Sequence, residues 1–103
     1  MRFPLGVARV AGASMAPHLI DGDCVVIRRG QGARVGDVVV VRRPDRPELV
    51  VVKRVREVYD DGRLWLEGDN PGASDDSRVF GPVAAGAVEG RVVWRYLPLR
   101  RRR

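Results

Sequence analysis

The chain has 103 residues, which is the size of one domain with one modest hydrophobic core. It carries a formal net charge of +6, a single cysteine and a single histidine, which excludes an internal disulfide and offers no cluster of zinc ligands. No segment approaches the ~18 to 20 apolar residues of a membrane span, and the start of the chain is too polar for a signal peptide. We therefore expect a cytoplasmic protein without a metal, a cofactor or a transmembrane anchor.

Short valine-rich runs separated by Gly, Pro and Asp predict a mainly β domain with short hairpins and little helix. The predicted strands, in chain order, cover residues 6–10, 24–29, 37–42, 49–58, 63–67 and 89–96. Turn signals lie at 44–47 and at 60–62, where Asp-Gly tolerates the positive φ angles of a tight hairpin. We expect helix only as one or two turns, after Met15 or near residues 83–87.

The first predicted strand is followed by the segment GASMAPHLIDGD, residues 12–23, which holds one of only three serines. Ser14 is either an ordinary turn residue or a nucleophile that needs a neighbouring base. His18 lies four residues further on, but Pro17 disfavours a helical conformation at the residue before it. We therefore expect His18 to be an exposed turn residue and not the base. Cys24 opens the next apolar run and is expected to be a buried structural thiol.

The fourth predicted strand carries Lys53, the only lysine among 19 basic residues. Alternation along a strand places Lys53 on an apolar face with Val51 and Val55, and Arg54 on the opposite face. Burial disfavours the charged form of a lysine and lowers its pKa, so Lys53 is a candidate general base for Ser14. The alternative is that the Lys53 side chain reaches solvent from a sheet edge.

The other two serines lie in the loop GDNPGASDDSRVFGPV, residues 68–83. The loop is dense in turn formers and contains several aspartates and one arginine. Taken alone, it is typical of a solvated loop whose Asp–Arg pair contributes little to stability.

Three motifs, in this order and spacing, resemble those of the type I signal peptidases (S26), which are serine–lysine endopeptidases with a β-rich core. They are Ser14-Met15-x-Pro17 with Gly22-Asp23, then Val52-Lys53-Arg54-Val55, then Gly68-Asp69-Asn70 with Ser74-Asp75-Asp76-Ser77-Arg78 and Phe80-Gly81-Pro82-Val83. The resemblance runs from about residue 10 to residue 96. Small size makes the chain most similar to the short bacterial proteases that mature nickel-type superoxide dismutase.

The resemblance implies a role for each matching residue. Ser14 would be the nucleophile and donate its backbone N–H to the oxyanion, Lys53 would be the general base, and Ser74 would orient the lysine. Support of the site would come from Asp76, Arg78, Met15, Pro17, Gly68, Asp69 and Asn70. Many bacterial members carry a hydroxyl two residues before the nucleophile as a second oxyanion donor, whereas this chain has Gly12.

The implied function is that of a serine endopeptidase that removes a leader or propeptide after a small residue, for example from a nickel superoxide dismutase precursor. Residues 1–98 would form the catalytic domain and residues 99–103 a basic tail. The expected partner is a precursor protein or peptide, with no nucleic acid. The arginines from Arg100 to Arg103 could add a peripheral contact with an anionic membrane surface.

Two other interpretations remain open. A self-cleaving, repressor-type serine–lysine protease shares the Ser-Met-x-Pro motif and a strand lysine, but normally lacks the 68–78 loop and is joined to a DNA-binding or partner segment. A small basic β-barrel could bind nucleic acid by stacking bases on Trp65, Trp94, Tyr59 and Tyr96. Alternation instead places Val92, Trp94 and Tyr96 on one strand face, which predicts a core stripe.

Overall fold

The computed structural model describes residues 3–30, 32–46, 49–73 and 75–96, which form a six-stranded antiparallel sheet. The strands are β1 Leu5–Arg9, β2 Cys24–Arg29, β3 Val38–Arg42, β4 Val50–Val58, β5 Leu64–Glu67 and β6 Val88–Tyr96. The predicted mainly β fold is confirmed, and every strand begins and ends within one residue of its predicted bounds.

The strand order is β1-β2-β6-β3-β4-β5, so β4 is an interior strand between β3 and β5. Lys53 lies on β4 directly opposite Val39 of β3, and only 3% of its surface is exposed. The alternative in which this lysine reaches solvent from a sheet edge is therefore wrong.

Two apolar clusters pack against the sheet, and neighbouring residues of β3 contribute to different clusters because side chains alternate along a strand. The first core contains Val39, Val41, Val55, Leu64, Leu66, Val83 and Val88. The second core contains Val10, Met15, Leu19, Val25, Ile27 and Val40. Met15 and Leu19 belong to the turn that carries Ser14, so the second core anchors that turn.

Tight turns and short helical segments connect the strands. Gly62 adopts a φ of +90° in the β4–β5 hairpin, as the Asp-Gly signal predicts. One predicted helical turn appears as a 3-10 turn at Ala85–Ala87. A 3-10 turn at Pro71–Ala73 and the helix α1, Ser77–Phe80, were not predicted. Asp76 caps α1 by accepting a hydrogen bond from the Arg78 backbone N–H, so an aspartate at the N-cap position was the available signal.

The core-stripe prediction for β6 is wrong at Trp94. In the pairing of β2 with β6, Ile27 lies opposite Val92 but Val26 lies opposite Trp94, so Val93 is an extra residue. Such a bulge changes which residues face the core. Val92 packs against the second core, whereas Trp94 is 65% exposed.

Several other expectations concern single residues or the termini. Cys24 is half-buried and not buried, because it opens β2 on the strand face that it shares with the half-buried Val26. Ser74, the Tyr96 side chain, and the tail from Arg100 to Arg103 lie outside the described residues. Within the described ranges, no helix is long and apolar enough to cross a membrane.

Candidate active site

Ser14 and Lys53 line the same cleft, although they are far apart in the sequence. The cleft has a volume of about 710 Å³. One wall is the stretch of chain from Ala8 to Ser14, and another is the first half of β4 from Val50 to Lys53. We call this space the Ser14–Lys53 cleft.

The environment of Lys53 favours its neutral form. Burial lowers the pKa of the Lys53 ammonium below its ordinary value of 10.5, because the charged form loses its hydration. The carboxylates of Asp76 and Asp75 oppose this effect, and the guanidinium groups of Arg43 and Arg78 add to it. A lysine with a lowered pKa is neutral over a wider range of pH than an ordinary lysine, and only the neutral amine can accept a proton.

The turn that carries Ser14, residues 12–19, is held by the second core on one side and by Asn70 on the other. Met15 is fully buried in the second core, and its carbonyl accepts a hydrogen bond of 3.0 Å from the Leu19 N–H. The peptide bond between Ala16 and Pro17 is cis. Asn70 holds the other side of this turn, because its N–H donates to the Ser14 carbonyl at 2.8 Å and its Nδ2 donates to the Ala13 carbonyl at 3.0 Å.

The backbone N–H groups near Ser14 differ in their availability. Within the part of the chain that the structure describes, the Ser14 N–H donates to no protein acceptor. The Gly12 N–H donates to the Asp21 carboxylate at 2.8 Å, with Gly12 at a φ of +87°. The backbone amide of Gly12 is therefore engaged, whereas that of Ser14 has no protein acceptor among the described residues.

Asp76 and Arg78 form a pair that closes the 68–78 loop, and Ser77 joins the loop to the sheet. Asp76 is 1% exposed and accepts hydrogen bonds from the Gly68 N–H at 2.9 Å and from Arg78 Nε at 2.9 Å and Nη2 at 2.6 Å. Next to it, the Ser77 hydroxyl accepts a hydrogen bond of 2.8 Å from the Leu66 N–H of β5. The loop is therefore solvated only in part: Pro71–Ala73, Asp75 and Arg78 are exposed, whereas Gly68, Asp76 and Ser77 are buried.

Asp69 is the centre of a second charged cluster. It is bound by Arg54 through two hydrogen bonds of 2.9 and 2.8 Å, and these chiefly lower the pKa of its carboxyl group. Asp69 also lies 2.9 Å from Nδ1 of His18. The His18 side chain is 67% exposed, as expected for a turn residue, but its ring is paired with Asp69.

Sequence reasoning did not anticipate the His18–Asp69 pair or the presence of Arg43 and Asp75 at the cleft. The orientation of Arg54 was predictable, because alternation along β4 directs its side chain to the face opposite Lys53. In the described ranges, no group of three or more His, Cys, Asp or Glu residues is arranged to hold a metal ion.

Comparison with known proteins assigns the family. The sequence model described as Peptidase S24-like matches residues 3–93. The chain belongs to this family. It is 38% identical to mitochondrial inner membrane protease subunit 2 of Danio rerio, over 85% of this chain and 63% of the relative. It is 32% identical to mitochondrial inner membrane protease subunit 1 of Homo sapiens, over 91% of this chain and 70% of the relative.

Family membership identifies the chain as a domain of the serine-peptidase type, in agreement with the predicted class of enzyme. The chain spans less than two thirds of the Danio rerio relative. A third relative, mitochondrial ATP-independent inner membrane protease subunit 1a of Arabidopsis thaliana, is 32% identical over 94% of this chain and 73% of its own length. These relatives are mitochondrial proteins of eukaryotes, which runs against the expectation of a bacterial superoxide dismutase protease.

Proposed function

We propose that this chain is a serine endopeptidase in which Ser14 is the nucleophile and Lys53 is the general base. The observation that carries the proposal is the shared cleft, in which the one lysine of the sequence is 3% exposed and has a lowered pKa. Family membership supports the same chemistry.

The proposed reaction has two halves. The Ser14 hydroxyl oxygen attacks the scissile carbonyl carbon while its proton passes to the neutral amine of Lys53. The Ser14 N–H donates to the oxyanion, and the C–N bond then breaks as the Lys53 ammonium returns the proton to the leaving amine. Water hydrolyses the resulting ester on Ser14, again with Lys53 accepting the proton and returning it to the serine oxygen.

The supporting roles are proposals of the same kind. Ser74 would orient Lys53, and its neighbours Ala73 and Asp75 both line the cleft. Asp76 and Arg78 would hold the loop that carries Ser74, through the buried hydrogen bonds of Asp76. The turn of Ser14 would be shaped and held by Met15, Pro17, Gly68, Asp69 and Asn70.

We further propose that the substrate is the leader or propeptide of a precursor protein, cleaved after a small residue. Glycine and alanine dominate the wall that precedes Ser14, which leaves room for an extended peptide beside it. The names of the relatives favour precursors handled at a membrane, and the tail from Arg100 to Arg103 would give such an enzyme a peripheral contact. A nickel superoxide dismutase prosequence in the cytoplasm is the second candidate substrate.

The test is cleavage of precursor peptides by the purified protein, followed by mass spectrometry. The parent should cleave, and Ser14→Ala and Lys53→Met should each lower kcat at least 1000-fold, as removal of a catalytic nucleophile or base does. Arg63→Gln is a matched control, because Arg63 pairs with Asp61 on an exposed hairpin away from the cleft. Equal cleavage by the parent and both site variants would overturn the dyad.

Two further measurements separate the substrate classes. A panel containing a mitochondrial leader peptide and a superoxide dismutase prosequence would show which one has the higher kcat/KM. Incubation of the chain alone, with its intact mass followed over time, would reveal self-cleavage. A stable intact mass together with cleavage of an added peptide supports a processing enzyme.

A further inference from the structure

His18 belongs to the turn of the candidate nucleophile but does not line the Ser14–Lys53 cleft. Its Nδ1 lies 2.9 Å from an oxygen of Asp69, and its backbone carbonyl accepts a separate hydrogen bond from Arg95. The side chain and the backbone of His18 therefore have different partners. Substitution of the ring leaves the bond to Arg95 possible.

Asp69 is a firm anchor for the His18 ring. The side chain of Asp69 is 6% exposed, and its two oxygens accept hydrogen bonds from Nε and Nη2 of Arg54. Arg54 lies on the interior strand β4 and also donates to the Gly36 carbonyl at 2.8 Å. Arg56, two residues further along β4, lies 3.6 Å from Asp69. The position of Asp69 is thus set by the sheet and not by the loop alone.

Asn70, the residue after Asp69, binds the same turn at its other end. Asn70 donates to the carbonyls of Ser14 and Ala13, while Asp69 holds His18 four residues beyond Ser14. The two neighbouring residues therefore contact the turn on both sides of Ser14.

We propose that His18 is a positioning residue, which holds the turn so that the Ser14 hydroxyl lies correctly within the cleft. This inference rests on the proposed role of Ser14 as the nucleophile. A displacement of about 1 Å in a reacting group can cost about 100-fold in rate, so a clamp of this kind acts on kcat more than on substrate binding. The ring of His18 acts through Asp69 and does not itself take part in proton transfer.

Substitution of His18 by asparagine or by glutamine distinguishes the contributions of its two ring nitrogens, Nδ1 and Nε2. Asparagine places an amide nitrogen near the position of Nδ1 of histidine, whereas glutamine places it near the position of Nε2. The structure joins Asp69 to Nδ1. His18→Asn should therefore keep kcat within about 3-fold of the parent, and His18→Gln and His18→Ala should lower it at least 10-fold with KM within about 2-fold.

The experiment measures kcat and KM for a precursor peptide that the parent cleaves, with Arg63→Gln as the control. In parallel, amide hydrogen exchange is followed in fragments that contain Asn70, whose N–H donates to the Ser14 carbonyl. Exchange should accelerate in His18→Gln and His18→Ala and match the parent in His18→Asn. Because His18 is mostly exposed, these variants should keep the parental melting temperature.

Each result decides the inference. Parental kcat and exchange in His18→Gln and His18→Ala would overturn it, and so would an equal loss of kcat in all three variants. If the parent cleaves no peptide, the proposed function fails, while the exchange arm still shows whether the His18 ring clamps the turn.

Discussion

Lys53 places an ionisable group where water scarcely reaches it. The side chain is 3% exposed on an interior strand, so its ammonium form loses most of its hydration and its pKa falls. The two nearby carboxylates, Asp75 and Asp76, limit this fall. The balance of these effects sets the pH at which the proposed base can work.

The first prediction concerns the pH dependence of cleavage. The base must be neutral, so activity is lost as the pH falls through the lowered pKa of Lys53 and is complete above it. The logarithm of kcat/KM should rise with pH with a slope of one and then level off. A kcat/KM that does not change with pH in this rising range would contradict the assignment of Lys53 as the base.

Asp75→Asn should shift the pH dependence of kcat/KM, and Asp61→Asn is its matched control. The Asp75 carboxylate favours the charged form of Lys53, so its neutralisation should move the rising limb to lower pH. Asp61→Asn, on the exposed β4–β5 hairpin, should leave the limb where it is. A limb that moves to higher pH in Asp75→Asn would contradict this account of the Lys53 environment.

The second prediction concerns Asp76. Asp76→Asn removes the charge that Arg78 pairs with and turns an amide nitrogen toward one of the buried donors, such as the Gly68 N–H. An unsatisfied buried donor costs about 1 to 3 kcal/mol, so the free energy of unfolding should fall by about 2 kcal/mol. Urea unfolding measures this as a lower midpoint with an unchanged slope. A parental midpoint would show that the loop does not depend on Asp76.

At the scale of the elements, valine-rich runs bounded by Gly, Pro and Asp predicted the strands well, because strands covered by apolar clusters on both faces, such as β3, carry continuous apolar runs. The bulge at Val93 was not predictable, since it is visible only in the pairing of β6 with β2. Helix α1 escaped prediction because four residues give no helical period, although Asp76 marked its start.

In the candidate site too, local sequence patterns predicted some features, whereas others depend on contacts that form only in the folded chain. A lone lysine in an apolar strand and a serine in a proline-braced turn pointed to Ser14 and Lys53, and the structure brings both to one cleft. The His18–Asp69 pair joins two loops distant in sequence, and no local pattern encodes such a contact. The engagement of the Gly12 N–H by Asp21 likewise depends on the folded turn.

The third prediction tests the pairing of β6 with β2 and β3. A Cβ on Gly90 would lie 2.6 Å from the Arg28 carbonyl oxygen, which is backbone and cannot turn aside. Gly90→Ala should therefore lower the free energy of unfolding by about 2 kcal/mol or more. In Gly86→Ala the added Cβ meets no atom within 4 Å, so stability should stay within about 0.5 kcal/mol of the parent. Equal urea midpoints for the two variants would contradict this packing.

At the scale of the whole molecule, the two cores are joined through β3. Val40 belongs to the second core, while its neighbours Val39 and Val41 belong to the first. We therefore predict that the domain unfolds in one cooperative step. Leu66→Ala in the first core and Ile27→Ala in the second should lower the same single thermal transition, by calorimetry. Two separate transitions, each sensitive to one variant, would contradict the coupling.

The site itself depends on this joint packing. The second core anchors the Ser14 turn through Met15, whereas Lys53 lies on the strand that carries Val55 of the first core. We therefore expect the cleft to form only together with both cores, so that the proposed activity depends on the complete fold.

The most direct test of the central claim is to trap the acyl-enzyme. The protein is mixed with an activated peptidyl ester that ends in alanine, quenched with acid and digested with trypsin. The account predicts acylation within residues 10–28 at Ser14, none in Ser14→Ala, and acylation at least 1000-fold slower in Lys53→Met. Acylation of Cys24 in place of Ser14, or an unchanged rate in Lys53→Met, would contradict it.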